Sequence, residues 1–207
     1  MTQTTEEFGM LADDAAIEVT AAALTKNGMM TIVVENGEEA KKKLFELLPE
    51  NAEVMNMTSA TLDAIGASQE IVESGRYNSV RKQFSLMDPK KDGRAMRQLG
   101  AAPDWVVGSV HAITQDGAVL IASATGSQLP GYAYGGGKVI WVVGTQKLVK
   151  TFKDGMRRIR EYTFPLEDAR AQKVYGAPSS INKILTIYKE SAPERITIIL
   201  VKEKLGF

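Results

Sequence analysis

Apolar positions along this chain follow two periods that alternate. Ile17, Ala21 and Leu24 stand at i, i+4 and i+7 behind the acidic start Asp13-Asp14, and Gly28 offers a left-handed stop, so a helix is predicted between them. Met30 to Glu35 (MTIVVE) is a compact β-branched strand. Asn36-Gly37 then turns into a helix with Ala40, Leu44, Leu47 and Leu48 on one face, ended by Pro49. A second strand, Glu53 to Met57, runs into Thr58-Ser59-Ala60-Thr61. Behind it comes an amphipathic helix carrying Leu62, Ile65 and Val72, closed by Gly75. Helix, strand, helix, strand, helix over the first 75 residues predicts a parallel, Rossmann-like sheet with right-handed crossovers.

From Arg76 to Pro103 the pattern turns polar and basic. Two apolar strands follow, Trp105 to Ile113 and Ala118 to Ser123, joined by Thr114-Gln115-Asp116-Gly117, whose Asp-Gly pair marks a tight hairpin. Lys138 to Val143 (KVIWVV) reads as a buried strand, followed by a helix carrying Leu148, Phe152, Met156 and Ile159. A further helical segment begins near Pro165, and Ile184 to Tyr188 and Ile196 to Val201 close the chain as strands. No repeat, low-complexity tract or linker interrupts it. The expectation is one α/β domain over residues 1–207, with residues 1–28 as a helical segment packed on it. It has a mostly parallel sheet, helices on both faces and a β-hairpin element.

Composition narrows the chemistry. With 25 basic and 25 acidic residues the net charge is zero, which offers no bulk attraction for nucleic acid or an anionic membrane. Zero cysteines exclude disulfides, thiolate zinc, iron–sulfur ligation and a cysteine nucleophile; a single histidine excludes a multi-histidine metal cage. No metal or resident cofactor is expected. The first residues lack the basic start and apolar core of a secretory signal, and no window is apolar enough to span a membrane, so a cytoplasmic protein is expected.

The segment from Gly108 to Gly144 holds eight of the 18 glycines and the only histidine, His111. Short apolar runs there alternate with loops of Gly, Ser, Thr and Gln that present bare backbone N–H groups, a common way to hold a small anion at strand ends. Three phosphate-loop signatures fail. Gly137-Lys138 is followed by Val139, which breaks a P-loop. Gly135-x-Gly137 meets Ile140 where a dinucleotide loop needs its third glycine, and Gly126-Ser127 continues as Gln128-Leu129 instead of a nucleophile elbow.

Thr58, Ser59 and Thr61 open a helix just past a strand, where N–H groups, hydroxyls and the helix dipole converge; they read as an anion site or as a plain N-cap. Thr125, Gly126, Ser127 and Gln128 form a second hydroxyl-rich loop at a strand end. Gly135, Gly136 and Gly137 either admit a ligand close to the backbone or permit a tight strand entry. Asp63, Asp116 and His111 are the candidate proton carriers. His111 is read as mid-strand, so the Thr125–Gln128 loop is expected to line a pocket more directly than His111 does. Lys147, Lys150, Lys153 and Arg157 fall at helical spacing and are read as a solvated basic stripe.

From Ile32 to Phe207 the chain resembles the lactate-utilisation-domain (LUD) family, formerly a domain of unknown function. The resemblance rests on TIVVENGEEAKKKLFELLPENAEV, TSATLDAIG, APDWVVGSVHAITQDGAVLIAS, KVIWVVGTQKLVKTFKDGMRRI and RITIILVKEKLGF, in that order. It implies a fold similar to ribose-5-phosphate isomerase, glucosamine-6-phosphate deaminase and the CoA transferases, with anionic ligands at the βα turns. The likeliest family positions are then Thr58, Ser59, Thr61 and the HAITQDGAVLIAS hairpin. Many members carry Glu-Thr-Gly where this chain has Gln115-Asp116-Gly117, so a glutamate nucleophile is not implied. Some relatives serve lactate oxidation beside iron–sulfur partner subunits, in which this chain would be an accessory or substrate-binding subunit.

Three function classes stay open. One is an enzyme acting on a hydroxy carboxylate or sugar phosphate. The second is a non-catalytic binding module of organic-acid utilisation, and the third an interaction protein working through its surface or as a homodimer.

Overall fold

In the computed structural model, which describes residues 5–207, two runs of β-branched residues are buried on both sides and form the centre of the sheet. The strands in chain order are β1 (Met30–Val34), β2 (Glu53–Asn56), β3 (Asn78–Ser79), β4 (Trp105–Gly108) and β5 (Ala112–Thr114). They continue with β6 (Val119–Ser123), β7 (Lys138–Gly144), β8 (Leu148–Val149), β9 (Lys183–Ile187) and β10 (Ile196–Val201). Six of them make a parallel sheet in the order β1-β10-β7-β4-β2-β3, and four make a second, mixed sheet in the order β8-β5-β6-β9.

The helices are α1 (Asp14–Lys26), α2 (Gly37–Leu47), α3 (Ala60–Ala64), α4 (Ala67–Glu73), α5 (Val80–Phe84), α6 (Gly93–Ala101), α7 (Phe152–Arg157) and α8 (Phe164–Tyr175). The expected helix up to Gly75 is interrupted, because Gly66 adopts φ +66 and separates α3 from α4. Residues 1–4 of the expected N-terminal segment lie outside the described residues.

Side-chain alternation along β7 and β10 divides the interior into two layers. Val139, Trp141, Val143, Ile198 and Leu200 face α1 and the second sheet, while Ile140, Val142, Ile199 and Val201 face α2, α3 and α4. The far side of the second sheet, with Leu120 and Val149, packs on Phe8 and Ile159 beneath the helix that starts at Phe152. The molecule is therefore layered, with helices, the parallel sheet, the second sheet and a closing helix in succession. It has a Rossmann-like α/β architecture.

Two expectations are corrected here. The single strand from Trp105 to Ile113 is two strands in different sheets: the chain bends at Ser109–His111, so β4 belongs to the parallel sheet and β5 to the other. Leu148 is not helical either. It sits in β8 beside Ile113, and the helix begins only after Thr151, whose hydroxyl caps the Asp154 N–H at 3.1 Å. The hairpin does form between β5 and β6, with Gly117 at φ +84.

Arg158 ties these layers together. It lies at the start of a π-turn, Arg158–Thr163, that joins α7 to α8. Its fully buried guanidinium donates to the carbonyls of Phe8 (3.2 Å), Gln146 (3.2 Å) and His111, and to Thr163 Oγ1 (2.9 Å). Those partners come from the N-terminal turn, the segment after β7, the bend between β4 and β5, and its own helix.

Replacing Arg158 with Leu strands three buried carbonyls, each worth about 1–3 kcal/mol when left unpaired. The expected loss is about 3–5 kcal/mol, a fall in Tm of roughly 6–20 °C for a chain of this size. Thermal unfolding checks it; a wild-type Tm would show that the carbonyls find other donors.

Candidate functional site

β2, β4 and β7 are neighbours and parallel, so their carboxyl ends come out side by side. The residues just beyond them converge on one cavity of about 390 Å³: Thr58 to Thr61 after β2, Ser109 after β4, and Lys147 after β7. The turn after β6 also lines it, through Thr125, Ser127 and Gln128. The closing helix contributes Glu167 and Arg170, which neutralise each other through bonds of 2.7 and 2.8 Å. The cavity thus opens at the carboxyl ends of adjacent parallel strands, where α/β sheets usually place ligands.

Lys147 is the side chain that changes the picture. It is only 2% exposed, and its Nζ donates to Thr61 Oγ1 at 2.9 Å and to Ser109 Oγ at 3.0 Å. Both partners are hydroxyls, and no carboxylate among the described residues pairs with it. Burial, reinforced by the positive charge of Arg158, holds the amine well below the usual lysine range. Arg158 is itself brought down to about 10 by burial and remains a cation at neutral pH. The expected solvated stripe is corrected accordingly. Lys150 and Lys153 are exposed and Arg157 pairs with Glu161 at 2.8 Å, but Lys147 points inward.

His111 stands in the bend between the two sheets and lines the cavity. Its Nδ1 accepts the Ala122 N–H at 3.1 Å, so the ring hydrogen resides on Nε2. Burial first, then the charges of Lys147 and Arg158, push the imidazole down to about 3. The ring is therefore neutral at physiological pH and offers a donor without a charge.

The other expected site residues divide. Ser59 accepts the Leu62 N–H at 3.3 Å as the N-cap of α3. Thr61 passes its own hydrogen to the Leu205 carbonyl (3.1 Å) while accepting from Lys147. Thr58 accepts from Arg81 Nη2 at 2.6 Å. Gly126, at φ +86, shapes the loop from behind instead of facing the cavity; a Cβ there would press on Lys183. Gly135, Gly136 and Gly137 also lie away from it. They let the chain run against the backbone of Ala101, Gly131 and Asp104, which is the tight-entry reading. Asp63 is exposed outside the cavity, and Asp116 is held in the hairpin turn by Thr114. Among the described residues no group of acids and histidine is gathered to hold a metal ion, and no helix is long and apolar enough to cross a membrane.

The LUD domain family matches residues 17–201, and the chain belongs to that family, which is linked to lactate utilisation. No significant match exists among curated proteins. A crystal structure of a DUF162 family protein from Deinococcus radiodurans superposes with a TM-score of 0.56 at 12% identity, covering 93% of this chain and 99% of that one. That likeness shows a shared fold.

The neutral histidine has a pH signature. The unfolded chain takes a proton on His111 near pH 6.5, but the folded chain does so only near pH 3. Its contribution is complete above pH 6.5 and is lost as the pH falls toward 3, at up to about 1.4 kcal/mol per pH unit. His111→Asn can keep an acceptor for Ala122 without titrating. Denaturation midpoints from pH 7 to pH 4 are expected to fall less steeply in His111→Asn than in wild type; equal slopes would place the titration elsewhere.

Proposed function

We propose that this member of the LUD domain family binds a small, oxygen-rich anion, a hydroxy carboxylate or a sugar phosphate, in the cavity beyond β2, β4 and β7. The observation that carries the reading is Lys147, a basic group lining the cavity whose pKa burial and then Arg158 lower, with no acid among the described residues paired to either. The positive charge of Arg158 meets no acid among the described residues, Lys147 adds amine hydrogens at the cavity, and an incoming carboxylate or phosphate is the partner that suits both. Hydroxyls from Thr58, Ser59, Ser109 and Ser127 lining the same cavity suit a ligand that carries oxygens of its own. A volume near 390 Å³ fits a metabolite of a few carbons, at the small end of ligand pockets. Association with lactate-type organic acids agrees with the family.

Thermal-shift measurements with lactate, glycolate and ribose 5-phosphate test this. A ligand at 100 times its Kd stabilises by about 2.7 kcal/mol, a Tm rise of roughly 5–10 °C. The rise is expected for at least one of the three and is expected to vanish in Lys147→Met. That variant swaps the buried amine for an apolar chain of similar length and is expected to be as stable as wild type or more so by about 1 kcal/mol. No response to any of them, or an undiminished response in Lys147→Met, would overturn the reading.

A further inference from the structure

We infer that Lys147 is a covalent site, its amine forming an imine with the carbonyl of a small 2-oxo acid seated in the cavity. The inference rests on the reading of this cavity as a small-anion site and names a carbonyl class within it. Its first support is placement. Lys147 lines the cavity, and its Nζ is held at 2.9 Å by Thr61 Oγ1 and at 3.0 Å by Ser109 Oγ, which accept two of its hydrogens. In the uncharged amine the lone pair is what remains, free for an electrophile. The second support is the company it keeps. A lysine that only anchors anions does so best with its full charge, near solvent. This one is buried beside a second cation, a setting that favours the nucleophilic free amine and holds it below the lysine range. Arg158, a cation buried behind the cavity wall, lends an oxo acid's carboxylate a positive field without touching it.

The step balances without an outside reagent. The nitrogen lone pair attacks the carbonyl carbon, a C–N bond forms, and the C=O π pair moves to oxygen. One amine hydrogen passes to that oxygen, giving a carbinolamine. The oxygen then leaves as water with the second amine hydrogen, and the nitrogen pair closes C=N. Nothing is oxidised or reduced. The Thr61 and Ser109 hydroxyls, each bonded to the amine, are the groups placed to pass those hydrogens. The His111 ring, neutral and facing the same cavity, does not re-protonate the nitrogen.

The test is reductive trapping of the full chain with pyruvate or glyoxylate and cyanoborohydride, read by intact mass and peptide mapping, beside thermal shifts with lactate, which has no carbonyl to trap. The expected result is one reduced adduct per chain, on Lys147, suppressed by excess lactate and absent from Lys147→Met and Lys147→Arg. The arginine variant keeps a cation but cannot form the imine, and the methionine variant guards against its misfolding. Adducts scattered over exposed lysines and equally abundant in both variants would overturn the inference. An absent adduct with an intact lactate shift would overturn the imine and leave the anion site standing. An absent adduct with no shift from lactate, glycolate or ribose 5-phosphate would overturn both.

Discussion

A guanidinium buried without a counter-ion is costly, and the molecule is arranged around one. Arg158 is fully buried, and carbonyls and a hydroxyl from four separate segments turn toward it. Arg195 offers the contrast within the same chain. It too donates to three backbone carbonyls, those of Gly131, Tyr132 and Gly136, but Glu190 neutralises it at 2.7 Å. Arg195 is a structural clamp whose charge is spent locally. The charge of Arg158 is solvated by dipoles and meets no acid among the described residues, and its field adds to the burial that chiefly holds Lys147 and His111 in their neutral direction. One residue thereby ties the layers together and reinforces the neutral state that burial gives the cavity's amine and imidazole.

The same constraint explains why the cavity lies where it does. Parallel strands deliver their carboxyl ends to one edge, and β2, β4 and β7 are adjacent there. Gly108, at the end of β4, makes room for the buried Tyr132, into whose hydroxyl any Cβ would run. Beyond it the chain bends into the second sheet, and His111 comes to face the cavity from the seam between the two sheets. The π-turn then gives Arg158 and Thr163, five residues apart, a common side of the helix, so that Nη1 reaches both the His111 carbonyl and the threonine hydroxyl.

Much of this was legible in the sequence, for stated physical reasons. β10 matches its predicted span, Ile196 to Val201, and β7 is longer by only Gly144, because burial on both faces leaves an unbroken apolar run. Thr58 and the 125–128 loop were placed at strand ends by their hydroxyls and glycine, and both border the cavity through Thr58, Thr125, Ser127 and Gln128. The misreadings share a cause. Hydropathy registers that a stretch is apolar, not which sheet it joins, so β4 and β5 merged into one strand and His111 lost its place at the seam. Lys147 was assigned to a helical stripe because Lys150 and Lys153 follow at threes. The chain there is a 3-10 turn followed by β8, and a helical period has no meaning before Thr151. The available signal was a lysine set between VVGTQ and LV, a cation inside an apolar stretch without an acid beside it.

Folding alone gives no reason for an amine at that position. A methionine would fill a similar volume, carry no desolvation cost and remove a like-charge neighbour from Arg158. The hydroxyls of Thr61 and Ser109 soften the burial without neutralising it, since a hydroxyl accepts a hydrogen bond but brings no negative charge. An interior that bears this cost on the wall of a cavity, with the cation of Arg158 behind it, carries a local conflict of the kind that stability does not select. Such conflicts concentrate where a protein meets its ligand, because the ligand supplies the missing term. The buried amine of Lys147 and the uncancelled charge of Arg158 therefore support the proposed small-anion reading on energetic grounds as well as by the shape of the cavity.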